Sequence, residues 1–227
     1  MKTSKIWSIC LAFCGIIFII AFSIALPIWL RFFYYAQIDS LGIVESSGFT
    51  REQIIKAYDD VLNYLNFGTP FATGELKYSE SGKSHFVDCK FLFDLDTWAM
   101  VISGIVLLAA IFLRKFKDLK PAKLLKFDWF FFSGVFAVVV PIVLGVAVAV
   151  DFDNAFVVFH KIFFPGKDNW MFNWNEDQII RILPAEFFMN CAIFIAVALL
   201  VLAITSITVG IINRVKLKHI EKHIAEI

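Results

Sequence analysis

The chain has 227 residues, of which 59% are hydrophobic and only 18% are charged. An average soluble domain is roughly 45–50% apolar and about 25% charged, so this composition excludes a disordered chain and argues against a soluble enzyme. The formal net charge is +1, and the absence of a basic excess argues against a nucleic-acid partner.

Four stretches without Asp, Glu, Lys or Arg predict membrane-spanning helices. They cover residues 6–30, 97–113, 129–150 and 187–213, and a bilayer requires roughly 20 apolar residues per helix. The first stretch is interpreted as an uncleaved anchor, because Phe13 is too large for the residue before a signal-peptide cleavage site. The predicted fold class is an all-α membrane protein, a single domain over 1–227 with four transmembrane helices.

The basic residues predict the orientation of these helices. Residues 1–5, 114–128 and 214–227 hold 12 of the 21 Lys and Arg residues, whereas 31–96 and 151–186 hold 16 of the 20 acidic residues. Positive charges in short loops collect on the cytoplasmic side, so both termini and the loop 114–128 are predicted to be cytoplasmic. The segments 31–96 and 151–186 become extracytoplasmic loops, and they are long enough to form a folded cap.

The first outside loop contains a predicted amphipathic helix. Thr50 and Gln53 fit a capping box, apolar residues then recur at helical spacing as far as Leu65, and Gly68 follows the end. This helix could lie on the membrane surface or pack against the other loop. The stretch 69–84, punctuated by Gly and Ser, is predicted to form a turn or hairpin.

The second outside loop is also predicted to be folded. Asp153 is a candidate cap for a short helix that ends before Pro165. An aromatic patch over 170–174 suits the headgroup layer. Asn175 and Gln178 form a second candidate capping box.

Two histidines are candidate catalytic residues because they lie one in each outside loop. His85 and His160 could accept and return a proton near neutral pH, and Asp88 would share a helical face with His85 and could orient its imidazole. The alternative is that they are two unrelated histidines at the membrane interface. His219 and His223 lie on the basic tail and are too few for a metal site.

The four cysteines give no disulfide framework. Cys89 is conceivable as a nucleophile beside His85, although packing is the simpler interpretation. No phosphate-binding loop, haem motif or serine nucleophile elbow is present.

Three segments of the chain resemble a known family. They are Leu62-Asn63-Tyr64-Leu65 with Phe67-Gly68, then His85-Phe86-Val87-Asp88-Cys89-Lys90, and Phe159-His160-Lys161-Ile162-Phe163-Phe164 followed by Trp170 and Phe172. With four spans and a histidine motif in each outside loop, the chain resembles the lipoprotein intramolecular transacylases, Lit, of low-GC Gram-positive bacteria. An aliphatic residue usually fills the place of Cys89 in that family, which weakens a catalytic role for this cysteine.

The resemblance implies an acyl transfer within one substrate, a lipoprotein whose N-terminal cysteine carries a diacylglyceryl thioether. The acyl chain would move from the middle glycerol carbon to the α-amine of the same cysteine and give a lyso-form lipoprotein. The resemblance implies His85 and His160 as the catalytic pair. The sequence does not decide which of them is the base, and we expect His85 in that role, held by Asp88. Weaker candidates for support or substrate contact are Lys90, Arg181, Trp170 and Tyr64.

The implied partners are the diacylglyceryl-modified lipoprotein N-terminus and membrane lipid, with no nucleic acid, no metal and no cofactor. The implied location is the bacterial cytoplasmic membrane, with the site at the outer leaflet, and a monomer is the default oligomeric state. Two rival functions stay open. One is a non-enzymatic protein that binds lipid or metal through the same loops, and the other is a structural subunit of a larger complex.

Overall fold

The structure is a computed structural model that describes residues 3–116 and 120–225. It is built almost entirely from helices, and its chain contacts divide it into two compact units. One unit comprises 1–24, 98–144 and 195–227, and the other comprises 25–97 and 145–194. We refer to them as the span unit and the loop unit.

Among the described residues, three helices are long and apolar enough to cross a membrane, and the chain is accordingly a membrane protein. They are α1 (Lys5–Trp29), α5 (Glu80–Phe116) and α9 (Ala185–Ala225). They contain the predicted stretches 6–30, 97–113 and 187–213 almost completely. Both α5 and α9 extend well beyond the uncharged residues, because the polar residues that flank a span can continue the same backbone hydrogen bonding.

The sequence predicts one membrane-spanning helix over 129–150, but the structure does not form one continuous helix there. It forms α6 (Trp129–Ala137) and α7 (Val139–Val150), with Val138 between them. Pro141 lacks an N–H to bond the carbonyl of Ala137 and its ring crowds that oxygen, which accounts for an interruption at this place. A fourth membrane crossing by these two helices remains a prediction.

The span unit is packed through small and polar side chains on its helices. Ser133 Oγ donates to the Ala12 carbonyl at 3.1 Å, which ties α6 to α1. A Cβ on Gly134 would lie 2.4 Å from the Ala203 carbonyl, so α6 and α9 approach too closely for any larger residue. Two-residue strands β1 (Thr3–Ser4) and β2 (Lys120–Pro121) pair in parallel in the same unit.

The loop unit is centred on the helix predicted from the capping box. Two short helices, α2 (Phe32–Tyr35) and α3 (Ile43–Ser47), precede α4 (Arg51–Phe67). The Thr50–Gln53 capping box is present and Gly68 ends α4 in a left-handed conformation, so this prediction is confirmed.

The apolar face of α4 packs against the second loop segment. Its buried residues join one hydrophobic core with Ile179, Ile182 and Phe187, which settles between the two placements predicted for this helix. The members of that core on α4 are Ile54, Ala57, Tyr58, Val61, Leu62 and Leu65. The segments 31–96 and 151–186 therefore fold together.

The second loop segment begins with α8 (Phe152–Phe163) and includes a short 3₁₀ helix, Gln178–Arg181. The N-cap of α8 is Asp151, whose carboxylate accepts from Asn154 N, so the assignment of this role to Asp153 is wrong. The capping box of Asn175 and Gln178 is also wrong. Gln178 Oε1 instead accepts from the Lys77 N–H at 2.8 Å, because the side chain is used between segments.

The start of α5 depends on that second segment. Ser79 Oγ accepts from Gly82 N, and Asp177 in turn accepts from both the N–H and the hydroxyl of Ser79 at 2.8 Å. Asp177 is only 2% exposed. The helix thus begins at Glu80, and the turn or hairpin predicted over 69–84 is confined to residues 69–79. This junction places the first turns of α5 beside the loop that follows α8.

Candidate active site

His85 lies near the beginning of α5 with its side chain turned into the loop unit. The residue is 5% exposed. The rings of Phe164 and Phe172 contact the imidazole edge-on, with centroid distances of 4.9 and 5.5 Å. Because both phenylalanines belong to the second loop segment, the junction at Ser79 and Asp177 positions the surroundings of this histidine.

His160 lies in the last turn of α8 and is 7% exposed. Its Nδ1 is 2.7 Å from the Phe156 carbonyl. A carbonyl can only accept, so Nδ1 carries the proton and Nε2 of the neutral ring keeps its lone pair. The indole of Trp170 stacks on the imidazole at 4.7 Å.

The two imidazoles face each other in one buried site. Their centroids are 5.7 Å apart and their planes differ by 33°. One small transferring group could therefore come within hydrogen-bond reach of both rings. The histidines are not independent interfacial residues, and both lie within the loop unit.

Burial sets the charge state of this pair. Removal from solvent lowers the pKa of His160 from its ordinary value near 6.5, against a smaller opposite effect of the hydrogen bond to Phe156. Two imidazolium ions this close would also repel each other. At neutral pH the site consequently offers neutral imidazoles that can accept a proton.

Comparison with known proteins identifies the family of this chain. The sequence model of the family described as lipoprotein intramolecular transacylase Lit matches residues 9–188, well over half of the chain. The chain belongs to the Lit family.

Solved structures and sequence relatives extend this finding. The membrane-integral lipoprotein intramolecular transacylase Lit from Bacillus cereus aligns with 26% identity and a TM-score of 0.81, covering 95% of this chain and 97% of its own. A structure of that protein with an H85R mutation aligns with 26% identity and a TM-score of 0.76, covering 96% and 94%. An uncharacterized protein of Aquifex aeolicus is 25% identical over 145 residues, 64% of this chain and 62% of that protein. The aligned region thus spans less than two thirds of this relative.

Asp88 does not hold His85 in the manner predicted from helical spacing. Its two carboxylate oxygens accept from Lys167 Nζ at 2.5 Å and from Asn169 Nδ2 at 2.9 Å. Both partners come from the loop after α8, and they occupy the carboxylate that a helix-only argument had assigned to the imidazole.

Trp170 is the weaker candidate that the fold does bring to the site, through its stack on His160. Lys90 instead donates to the Leu65 carbonyl at 3.2 Å and pairs with Asp94. Arg181 donates twice to the Trp174 carbonyl. Tyr64 packs edge-on against Phe71 at 5.2 Å. Substrate contacts by these last three side chains remain predictions.

Cys89 contacts a catalytic candidate directly, which packing alone does not require. Its Sγ is 3.3 Å from His85 Nε2, one helical turn away. This is the contact that a thiol nucleophile and its base would make, although the thiol is also placed there simply by helix periodicity.

In the described residues, no three His, Cys, Asp or Glu side chains group closely enough to hold a metal ion.

Sequence reasoning missed the polar residues between α8 and the aromatic patch. Lys167 and Asn169 contact Asp88, and Asn169 also donates to Ser84 Oγ at 3.0 Å. The available signal was a short polar run, 167–169, directly after a helix-ending Pro-Gly pair and directly before Trp170.

Proposed function

We propose that this chain is a lipoprotein intramolecular transacylase that acts on a diacylglyceryl-modified N-terminal cysteine. It moves the acyl chain from the middle glycerol carbon to the α-amine of the same cysteine and leaves a lyso-form lipoprotein. The observation that carries the proposal is the buried pair of imidazoles, His85 and His160, whose centroids lie 5.7 Å apart. Membership in the Lit family supports it.

The pair suits an amine nucleophile because an unprotonated amine has two N–H bonds. The free Nε2 of His160 accepts one of them and orients the amine. His85 removes the other proton as the nitrogen attacks the ester carbonyl. The bond between the acyl carbon and the amine nitrogen forms, and the bond between the acyl carbon and the ester oxygen breaks. That oxygen leaves on the middle glycerol carbon, and His85 returns the proton to it.

The amine and the ester belong to one molecule, so the site needs mainly to bring them together. Effective concentration then supplies much of the acceleration. The aromatic rings of Phe156, Phe164, Trp170 and Phe172 surround the imidazoles and exclude water, which would otherwise hydrolyse the ester.

The charge distribution supports a site at the outer leaflet of the bacterial cytoplasmic membrane, with both termini cytoplasmic. Residues on the outward face of α8 also suit a lipid boundary. Phe159, Ile162 and Phe163 are each about half exposed or more, whereas His160 on the same helix is buried. A substrate anchored by its acyl chains could therefore reach the histidines from the lipid.

The proposal is tested by expressing the chain in bacteria that make diacylglyceryl lipoprotein but no N-acylated form. The product is an isomer of the substrate, so intact mass does not distinguish them. An amine-reactive label does, because the substrate has a free α-amine and the product has none. Conversion to an unlabelled protein of unchanged mass supports the function. Lipoproteins that keep their free amine, together with zinc or copper binding that requires both histidines, would favour the metal-binding rival.

A further inference from the structure

Two complementary polar atoms at the site are buried without a partner of standard geometry. They are Nδ1 of His85 and Oδ1 of Asn169. An imidazole nitrogen can donate and an amide oxygen can accept. Asn169 also lies against the turn of α5 that carries His85, because its Nδ2 contacts Ser84 and Asp88 on either side of that residue.

The orientation of the Asn169 amide is fixed by its other contacts. Nδ2 donates to Asp88 Oδ2 at 2.9 Å and to Ser84 Oγ at 3.0 Å. A carboxylate accepts only, so an amide turned the other way would place two oxygens against each other. Lys167 holds the second oxygen of Asp88, which keeps this carboxylate ionised and in place. The amide oxygen is left for His85.

We propose that Asn169 is a positioning residue that keeps the proton of neutral His85 on Nδ1, as the middle member of a relay from Asp88 through Asn169 to His85. This inference rests on the proposed function for its catalytic meaning. With Nδ1–H directed at Asn169 Oδ1, the ring presents an unprotonated Nε2 as the base. The two atoms make no hydrogen bond of standard geometry in the free protein, and we expect the contact to shorten when the substrate binds.

In the relay, the side chain of Asn169 lies between the charged carboxylate of Asp88 and the imidazole of His85, and this separation has a physical reason. A carboxylate directly on His85 would stabilise its charged form. A neutral amide instead fixes the tautomer and orientation without adding charge. The same logic assigns the choice of tautomer at His160 to the Phe156 carbonyl. Both histidines then keep an unprotonated Nε2, and the Cys89 thiol lies 3.3 Å from that of His85.

The test is ¹⁵N NMR of histidine-labelled full-length protein in detergent, combined with the amine-labelling assay. In the unmodified protein, His85 is expected to be protonated on Nδ1 at neutral pH. Asn169→Ala is expected to shift its proton population toward Nε2 and to slow turnover about tenfold to a hundredfold, the range seen when partners that orient a histidine are removed. Asn175→Ala, an exposed asparagine in the same loop, is the matched control and should change neither measurement.

A charge swap keeps the test decisive if the alanine variant folds poorly. Asn169→Asp alone places two carboxylates together and should be strongly impaired. Adding Asp88→Asn restores a donor facing an acceptor, so the double variant should be at least tenfold faster than the single one and should keep Nδ1 protonated.

The outcomes separate the relay from the reaction. An Nδ1 that is unprotonated in the unmodified protein, a tautomer unaffected by Asn169→Ala, or a swap no faster than Asn169→Asp overturns the relay. A tautomer that responds as expected in a protein that never consumes the α-amine supports the relay and overturns the proposed function.

Discussion

The imidazole of His85 on α5 and that of His160 on α8 lie 5.7 Å apart, each in the core of the loop unit and each less than one-tenth exposed. They come from the two segments on either side of the apolar stretches 97–113 and 129–150. Their meeting depends on contacts between these segments, chiefly those of Asp177 with Ser79 and of Gln178 with Lys77. The proposed catalytic pair is therefore a product of tertiary structure.

Trp170→Ala should raise the pKa of His160 toward its ordinary value near 6.5. Burial is the main reason that this pKa is lowered, and the indole stacked at 4.7 Å supplies part of the burial. The midpoint is measured by NMR titration of His160, with Trp174→Ala as the control because Trp174 contacts Arg181 instead. A midpoint that stays in place, or one above 6.5 in the unmodified protein, contradicts this electrostatic account.

The sign of the same shift predicts a pH effect on stability. Because the folded protein disfavours charged His160, the unfolded chain binds more protons once the pH falls below about 6.5. The contribution of this residue to stability is therefore complete above that pH and is lost as the pH falls. Thermal unfolding midpoints should drop between pH 7 and pH 5 less steeply in His160→Gln than in the unmodified protein, and an equal drop would contradict the prediction.

Cys89→Ala should slow the acyl transfer by no more than about tenfold. The proposed nucleophile is the substrate's own amine, so the thiol at 3.3 Å from His85 Nε2 has no covalent role. The initial rate of α-amine loss measures this. Complete inactivation of a folded Cys89→Ala protein, together with an acyl thioester on Cys89 in the unmodified one, would show that the transfer proceeds through the cysteine.

Gly82→Ala should destabilise the junction at the beginning of α5. A Cβ at this position would lie 2.2 Å from Asp177 Oδ1, which already accepts from Ser79, and such overpacking costs about 1–3 kcal/mol. The thermal unfolding midpoint should fall. Gly145→Ala is the matched control, because nothing lies within 4 Å of its added Cβ and alanine favours a helix. A Gly82→Ala protein as stable as the control would show that the junction is not tightly packed.

Reporter fusions test the predicted orientation. A reporter placed after Ile227 should be cytoplasmic, and one inserted in the turn 69–79 should be extracytoplasmic. Finding both on the same side of the membrane would separate the histidines from the proposed substrate.

Features determined by neighbouring residues were predictable from the sequence. The Thr50–Gln53 box and Gly68 specify α4 locally, and the structure has that helix at the predicted place. Three of the four long uncharged stretches likewise lie in helices long enough to cross a membrane. A histidine in each of the two loop segments, considered together with the charge pattern and the family resemblance, predicted that His85 and His160 share one site.

Features determined by distant residues were not predictable in this way. Helical spacing placed Asp88 beside His85, but Lys167 and Asn169 arrive from another segment and take its carboxylate. In the same way, Lys77 takes the side chain of Gln178. A polar side chain binds whichever partner tertiary packing brings nearest, and a single sequence does not reveal that partner.

The most direct test of the account is the rate of α-amine loss from a diacylglyceryl lipoprotein in membranes containing His85→Gln or His160→Gln. Each substitution should slow conversion at least about a hundredfold, since a positioned general acid–base group contributes roughly 10²–10⁴. His219→Gln, an exposed histidine on α9, should convert at the unmodified rate. Conversion at the unmodified rate by either buried-site variant, at equal protein level, would contradict the claim that the two histidines act together.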